Sequence, residues 1–186
     1  GASTLDALRG YEGAAAKKHY EALALLLPPE WGFAGRNRQP PRDAVNALLS
    51  YGYTLLFHNV HALLRARGLN PHQGFLHPAR PGHPALVSDL MEEFRPLAVD
   101  SLVLGLCLRG RLQPAQFDQE ADGACSIGLD ARRLFIHAFE ARMAEPLAHP
   151  ASGQPLDYRR AIDSQARLLA AVLRGSQPAY RAFVLR

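Results

Sequence analysis

Apolar positions recur along most of this chain at intervals of three and four, the spacing that lines one face of a helix. The clearest case runs from Asp43 to Arg67, where Leu49, Tyr53, Leu56, Val60 and Leu63 form a stripe between a capping Asp43 and a terminating Gly68. An earlier helix is expected from about Thr4 to Leu27. It stops at Pro28-Pro29, whose rings remove a donor and clash with the preceding turn. Pro84 suits the first position of a third helix, where a missing N–H costs nothing. Pro96 should interrupt that helix, which resumes through Val99 to Leu108 and ends near Gly110. Two more helices are expected, about Asp130 to Met143 and about Asp157 to Arg174, the last closed by Gly175. The segments between are less regular. Glu30 to Pro41 reads as a basic, proline-stiffened loop, the chain after Asn70-Pro71 as extended through His77, and Gln113 to Gly128 as a loop with a short strand. About six helices, almost no sheet and no internal repeat predict an all-α fold, taken as a single domain over residues 1–186.

Composition agrees with that reading and adds a hint of a partner. A chain of 186 residues that is 48% apolar can bury one substantial core. The net charge is +4 and the pI about 9.4, but the sharper feature is nineteen arginines against two lysines. Arginine is suited to bidentate phosphate contact, which fits nucleic acid. A GC-rich coding sequence produces the same bias, so charge alone leaves the question open. Cys107 and Cys125 form no Cys-x-x-Cys pair, which argues against a thiolate zinc site and suits a reducing compartment. No stretch approaches the ~18 uninterrupted apolar residues of a membrane span, and no signal peptide is visible. A soluble, cytoplasmic protein with no membrane association is the expectation. The chain opens on Gly1-Ala2-Ser3 rather than Met, as an excised piece of a longer protein would.

Glu12 breaks the first helical pattern. Its neighbours at helical spacing are Leu8, Ala15, Ala16, His19 and Leu23, and the only cation at three or four positions is Arg9. A carboxylate on an apolar face needs a partner from elsewhere in the chain. His77, ending Gly74-Phe75-Leu76-His77, and the cluster Asp89-Leu90-Met91-Glu92-Glu93 are the available ones. Two readings stand: a core ion pair between Glu12 and an arginine, or a divalent-metal site of mixed oxygen and nitrogen ligands suited to Mg²⁺ or Mn²⁺. Other chemistries are poorly supported. His58 and His61 lack the His-Glu-x-x-His pattern, no Gly-x-Ser-x-Gly elbow is present, and Gly123 to Gly128 lacks the lysine of a nucleotide loop.

Four runs then carry a resemblance. They are Gly10-Tyr11-Glu12-Gly13-Ala14-Ala15-Ala16, the stretch from Gly35-Arg36-Asn37-Arg38 through Asp43-Ala44-Val45-Asn46 to Tyr53, Gly74-Phe75-Leu76-His77, and Asp89-Leu90-Met91-Glu92-Glu93-Phe94-Arg95-Pro96. In order and spacing they resemble the C-terminal catalytic domain of the CRISPR-associated endonuclease and integrase of spacer acquisition, and the likeness continues to Tyr158-Arg159-Arg160 and Gln165-Ala166-Arg167. The resemblance implies a metal held by Glu12, His77 and Glu92. Asp89 would be an alternate ligand or a support behind the ligands, Arg95 a phosphate contact, and Asn46 and Tyr53 residues that shape the site. Arg36, Arg38 and Arg42, on the loop entering the motif helix, are DNA-binding candidates.

The activity implied is attack of a DNA 3′-hydroxyl on a phosphodiester, joining fragments into a CRISPR array, with metal-dependent cutting of duplex or branched DNA. The partners implied are DNA and a small ferredoxin-like subunit, with the full-length protein a homodimer. Relatives carry a β-sandwich ahead of this helical domain, and residues 1–186 lack it. The fragment is therefore expected to be mainly monomeric and unable to insert DNA at both ends. A catalytically inactive helical DNA-binding module and a related transposase domain are the alternatives.

Overall fold

The computed structural model describes residues 4–78 and 80–184; the Gly1-Ala2-Ser3 start lies outside them. Six α-helices dominate: α1 (Leu5–Leu26), α2 (Ala44–Ala66), α3 (Ala85–Met91), α4 (Ser101–Leu108), α5 (Leu129–Ala144) and α6 (Tyr158–Leu173). Their ends follow local chemistry. The Thr4 hydroxyl accepts from Ala7 N at 3.2 Å, Asp43 Oδ1 from Asn46 N at 2.8 Å, and Asp157 Oδ1 from Arg160 N at 2.8 Å. Gly68 and Gly175 terminate α2 and α6 at φ 72° and 74°, a conformation that a side chain disfavours. Pro96 lies in a stretch of π-helix, Arg95–Asp100, that joins the turn after α3 to α4. The sheet content of the described residues is two short antiparallel hairpins. The first pairs β1 (Phe117–Gln119) with β2 (Cys125–Ile127), and the second pairs β3 (Pro146–Ala148) with β4 (Pro155–Asp157).

The chain packs as two compact units, residues 1–52 with 101–137 and residues 53–100 with 138–186. In the first unit the buried apolar residues include Trp31, Phe33, Val45, Leu48, Leu49, Val103, Leu112 and Phe135. Trp31 meets Phe117 edge-on at 6.1 Å, and Cys125 N donates to Pro41 O at 2.8 Å, so the hairpin is joined to the loop before α2. Burial pushes the Cys107 thiol up to about 12; Cys125 is also raised, by burial and then by the charges of Asp43 and Asp118.

The second unit buries Leu56, Val60, Leu64, Val87, Leu90, Phe94, Phe139, Met143 and Ile162. α2 buries Leu64 fully, whereas the sequence stripe placed Leu63 there. Polar pairs reach across long sequence separations. Arg67 forks onto Asp163 at 2.6 and 2.7 Å, and Arg159 donates to Asn59 at 3.2 Å and to Glu140 at 2.5 Å. No helix among the described residues is long and apolar enough to cross a membrane.

Candidate active site

The residues singled out from the sequence fall into both units. Glu12 is in the first, on α1, a helix of which only Leu23 is fully buried. Glu12 itself is half-buried, and its neighbours Leu8 and Ala15 are exposed. This corrects the expectation of a carboxylate driven into a core. The apolar look of that face came largely from alanines, which cover little of a neighbouring side chain.

Asn46 and Arg36, also in the first unit, belong to one tight knot. The Asn46 carboxamide is inaccessible to solvent and has its bonding capacity filled. Oδ1 accepts from Arg36 Nη1 at 2.8 Å and from Asn37 N at 3.0 Å, and Nδ2 donates to Gly35 O at 2.8 Å and Asp43 Oδ2 at 2.6 Å. Arg36 also donates to Ser50 Oγ at 2.9 Å, so this arginine closes the loop onto α2. Arg42 donates to Asp122 O at 2.6 Å beside Gly123, while Arg38 is exposed.

In the second unit a single carboxylate organises the His77 loop. Asp89 Oδ2 accepts from Phe75 N at 2.5 Å and Leu76 N at 3.1 Å, and Oδ1 accepts from His77 N at 2.8 Å and meets His77 Nδ1 at 2.7 Å. Four donors thus converge on two oxygens, which fixes the backbone and turns the imidazole so that Nε2 is the nitrogen left to a ligand. The close approach requires a glycine: a Cβ on Gly74 would lie 2.7 Å from Ala85 Cβ and 2.8 Å from Asp89 Oδ2. Both oxygens of Asp89 are thus occupied by the loop.

Glu92 caps the C-terminal end of α3 and pairs with Arg95, whose guanidinium sits over the Tyr53 ring at 5.3 Å from the centroid. The adjacent Glu93 turns elsewhere. It accepts from Tyr180 OH at 2.5 Å, Gln165 Nε2 at 2.8 Å and Phe183 N at 2.6 Å, fastening the segment after α6. Burial, and next the bond to Glu93, raises the Tyr180 phenol above its ordinary range. An apolar cavity of about 350 Å³ lies beside the His77 loop, lined by Leu76, Leu86, Leu90, Leu169 and Val172 among others.

A family model described as CRISPR associated protein Cas1 matches residues 1–141. The chain belongs to the Cas1 family. The CRISPR-associated endonuclease Cas1 3 of Thermus thermophilus is 43% identical over 97% of this chain and 54% of its own length. A casposase solved bound to its integration product superposes with a TM-score of 0.89 at 25% identity, covering 96% of this chain and 50% of that one. A Cas6-RT-Cas1–Cas2 complex gives 0.87 at 27% identity over all of this chain and 20% of that one. The chain spans about half the length of most curated Cas1 relatives it matches.

Two residues of this Cas1 chain were not singled out from its sequence. Glu93 was read only as part of an acidic cluster. Asp100, 3% exposed and bonded to Tyr53 OH at 2.5 Å, was passed over. Asp100 did carry a signal, being a lone acid in the apolar run Leu97-Ala98-Val99-Asp100-Ser101-Leu102-Val103, the same anomaly that drew attention to Glu12.

Proposed function

We propose that this chain is the catalytic domain of a DNA endonuclease and integrase, with Glu12, His77 and Glu92 together holding a divalent cation, Mg²⁺ or Mn²⁺. The observation that carries this reading is the capture of the His77 loop by Asp89, in a chain of the Cas1 family. A carboxylate that spends its oxygens on three loop amides and one imidazole nitrogen is the arrangement found behind metal-binding histidines. One imidazole nitrogen and two carboxylates fit a hard or borderline cation that leaves positions open for water and substrate. A cation bound there would supply charge against the attacking and leaving oxygens and lower the pKa of the attacking hydroxyl.

The chain's own residues do the rest by placement. Asp89 holds His77 with its proton on Nδ1, so that Nε2 presents a lone pair. Arg95, resting on Tyr53, contacts the non-bridging oxygens of the phosphate under attack. A 3′-hydroxyl of one strand forms a new P–O bond as the existing P–O bond on the opposite side breaks, so the number of phosphodiesters is conserved and no external energy is needed. With water as the nucleophile the same geometry cuts DNA.

Duplex and branched DNA are the proposed substrates, with Arg38 and Arg42 on the approach and Arg36 shaping the loop that carries them. The casposase relative is named as bound to an integration product, and another relative as part of a complex with Cas2. We carry both over. The partner of this chain is then a small Cas2-type subunit with a ferredoxin-like fold, the longer protein pairs as a homodimer, and the reaction takes place in the cytoplasm.

Titration with Mn²⁺, followed by calorimetry, tests the ligands in the 186-residue chain and in Glu12→Ala, His77→Ala and Glu92→Ala. Each variant should lose binding while keeping its melting temperature. A branched DNA should be cut or rejoined by the parent with Mg²⁺ or Mn²⁺ and not by Glu12→Ala. A folded parent that binds branched DNA but no Mn²⁺ would replace this reading with that of an inactive DNA-binding module.

A further inference from the structure

Asp100 is one of four polar or charged residues buried among the described residues, at 3% exposure, and the only one of them with a formal charge. Its chain neighbours Ala98 and Val99 are buried as well. A carboxylate is kept in such a place at a cost, which calls for an account of what it holds. Its Oδ1 accepts from the Tyr53 hydroxyl at 2.5 Å. The other end of that side chain is the face on which the Arg95 guanidinium rests, 5.3 Å from the ring centroid. Arg95 in turn reaches Glu92, and its buried Nε has no hydrogen-bond partner.

We infer that Asp100 is a positioning residue that acts through Tyr53 on Arg95, keeping the guanidinium aimed at a phosphodiester oxygen when Glu92 is engaged elsewhere. The inference rests on the reading of Glu92 as a metal ligand. Arg95 has two restraints, and that reading makes one of them conditional. A cation that draws on the Glu92 oxygens weakens the ion pair, while the aromatic platform is untouched. The platform stays in place because its hydroxyl is fastened to a buried carboxylate. A tyrosine donating to a charged acceptor also carries more electron density in its ring, which strengthens attraction for the cation above it. The buried Asp100 therefore reaches the reacting phosphate at third hand, through a hydrogen bond to Tyr53 and the face of its ring.

The test has an arm that does not depend on turnover. In ¹⁵N-labelled chain, the Arg95 Nε–H signal is assigned by its loss in Arg95→Lys. It should be shifted upfield by the Tyr53 ring and exchange slowly with water, since Nε is buried. Tyr53→Phe and Asp100→Ala should each speed that exchange about tenfold or more and reduce the shift, the change expected when an interaction of cation–π strength loses its anchor. Asp100→Asn, whose amide oxygen still accepts from the hydroxyl, should restore most of the parent signal. Should Asp100→Ala melt below the assay temperature, Tyr53→Phe carries the comparison, because it deletes one oxygen and keeps the ring. In strand-transfer assays at saturating DNA, Tyr53→Phe should slow the reaction about tenfold with Mn²⁺ affinity unchanged. Added to Arg95→Ala it should cost nothing further. An Arg95 signal unaltered in Tyr53→Phe, or a double variant slower than Arg95→Ala by the full single-variant factor, overturns the inference and leaves Asp100 with a packing role. A parent chain without metal-dependent strand transfer counts against the proposed function instead, and the Nε–H signal still decides where Arg95 is held.

Discussion

Replacing Asp89 with alanine removes two acceptor oxygens and leaves four donors without them: the amides of Phe75, Leu76 and His77, and His77 Nδ1. Hydrogen bonds to a charged acceptor contribute about 1.5–3 kcal/mol each, so four would total roughly 6–12 kcal/mol if the donors found nothing else. They do find something, because the loop is half open and water replaces the lost acceptor; a net cost of about 3 kcal/mol is the reasonable figure. For a chain of this size that corresponds to a fall in melting temperature of roughly 6–12 °C. The larger effect should fall on the metal. With the imidazole free to rotate and its tautomer no longer set, Mn²⁺ affinity should drop about 10–100-fold. Asp89→Asn sharpens the test. It offers one oxygen where two are used, so its NH₂ group must face either the Phe75 and Leu76 amides or His77, and it should recover less than half of the loss. Calorimetric titration with Mn²⁺ beside thermal melts reads both effects. If Asp89→Ala binds Mn²⁺ within twofold of the parent, the argument that this carboxylate prepares His77 is wrong.

Gly74→Ala should act on the same loop from the other side: its Cβ would overlap Ala85 and Asp89, costing about 1–3 kcal/mol by overpacking, and a melting temperature equal to the parent's would refute the close approach. Glu93→Ala strands Tyr180 OH and Phe183 N, while Gln165 Nε2 keeps Tyr180 OH and Arg181 O; it should lower the melting temperature by roughly 4–8 °C, with Glu93→Gln milder because an amide oxygen still accepts. Alkaline pH should destabilise the fold. Cys107 is raised from 9.0 to about 12, so the folded chain keeps a proton that the unfolded chain releases, and stability is intact below about pH 9 and lost progressively towards pH 12. Cys125 and Tyr180 shift in the same direction, so urea midpoints that stay level up to about pH 11 would contradict all three. Arg38→Ala should weaken DNA binding and reduce its salt slope by about one phosphate, whereas Arg36→Ala should mainly loosen the loop and show as a lower melting temperature; the reverse pattern in anisotropy and melting data would dispose of this division.

The features that were legible in the sequence are those written in local chemistry. Asp43 as a cap, Gly68 and Gly175 as stops, and Pro28-Pro29 as a break act within a turn of where they stand, so the helices they bound appear where expected. The β3–β4 hairpin was not foreseen, because strands of three residues that each begin with proline are too short for a period to register. Pairings such as Arg67 with Asp163 are decided by packing between distant segments, which no spacing rule reaches. The proline-stiffened loop before α2 looked basic, yet it contains the buried Trp31 and Phe33, and Arg36 is spent on closing it. Within the site, His77 and the acidic cluster stood out as a motif. Which carboxylate of that cluster does what did not, since neighbouring acids in a sequence are indistinguishable until a helix turns them apart.

That turning has a consequence for how such a chain can change. Asp89, Glu92 and Glu93 lie within five residues, and the last turn of α3 with the turn that follows it aims each at a different client: the His77 loop, Arg95 and the segment after α6. Insert or delete one residue among them and every later carboxylate is turned away from its client, so the loop and the strap cannot both remain tied. Substitutions here can be absorbed one at a time, but a change of length cannot. Lineages descending from this chain are freer to lengthen the turn between β3 and β4, whereas the turn between β1 and β2 is tied to Arg42 and the run from Asp89 to Glu93 must be inherited without gaps.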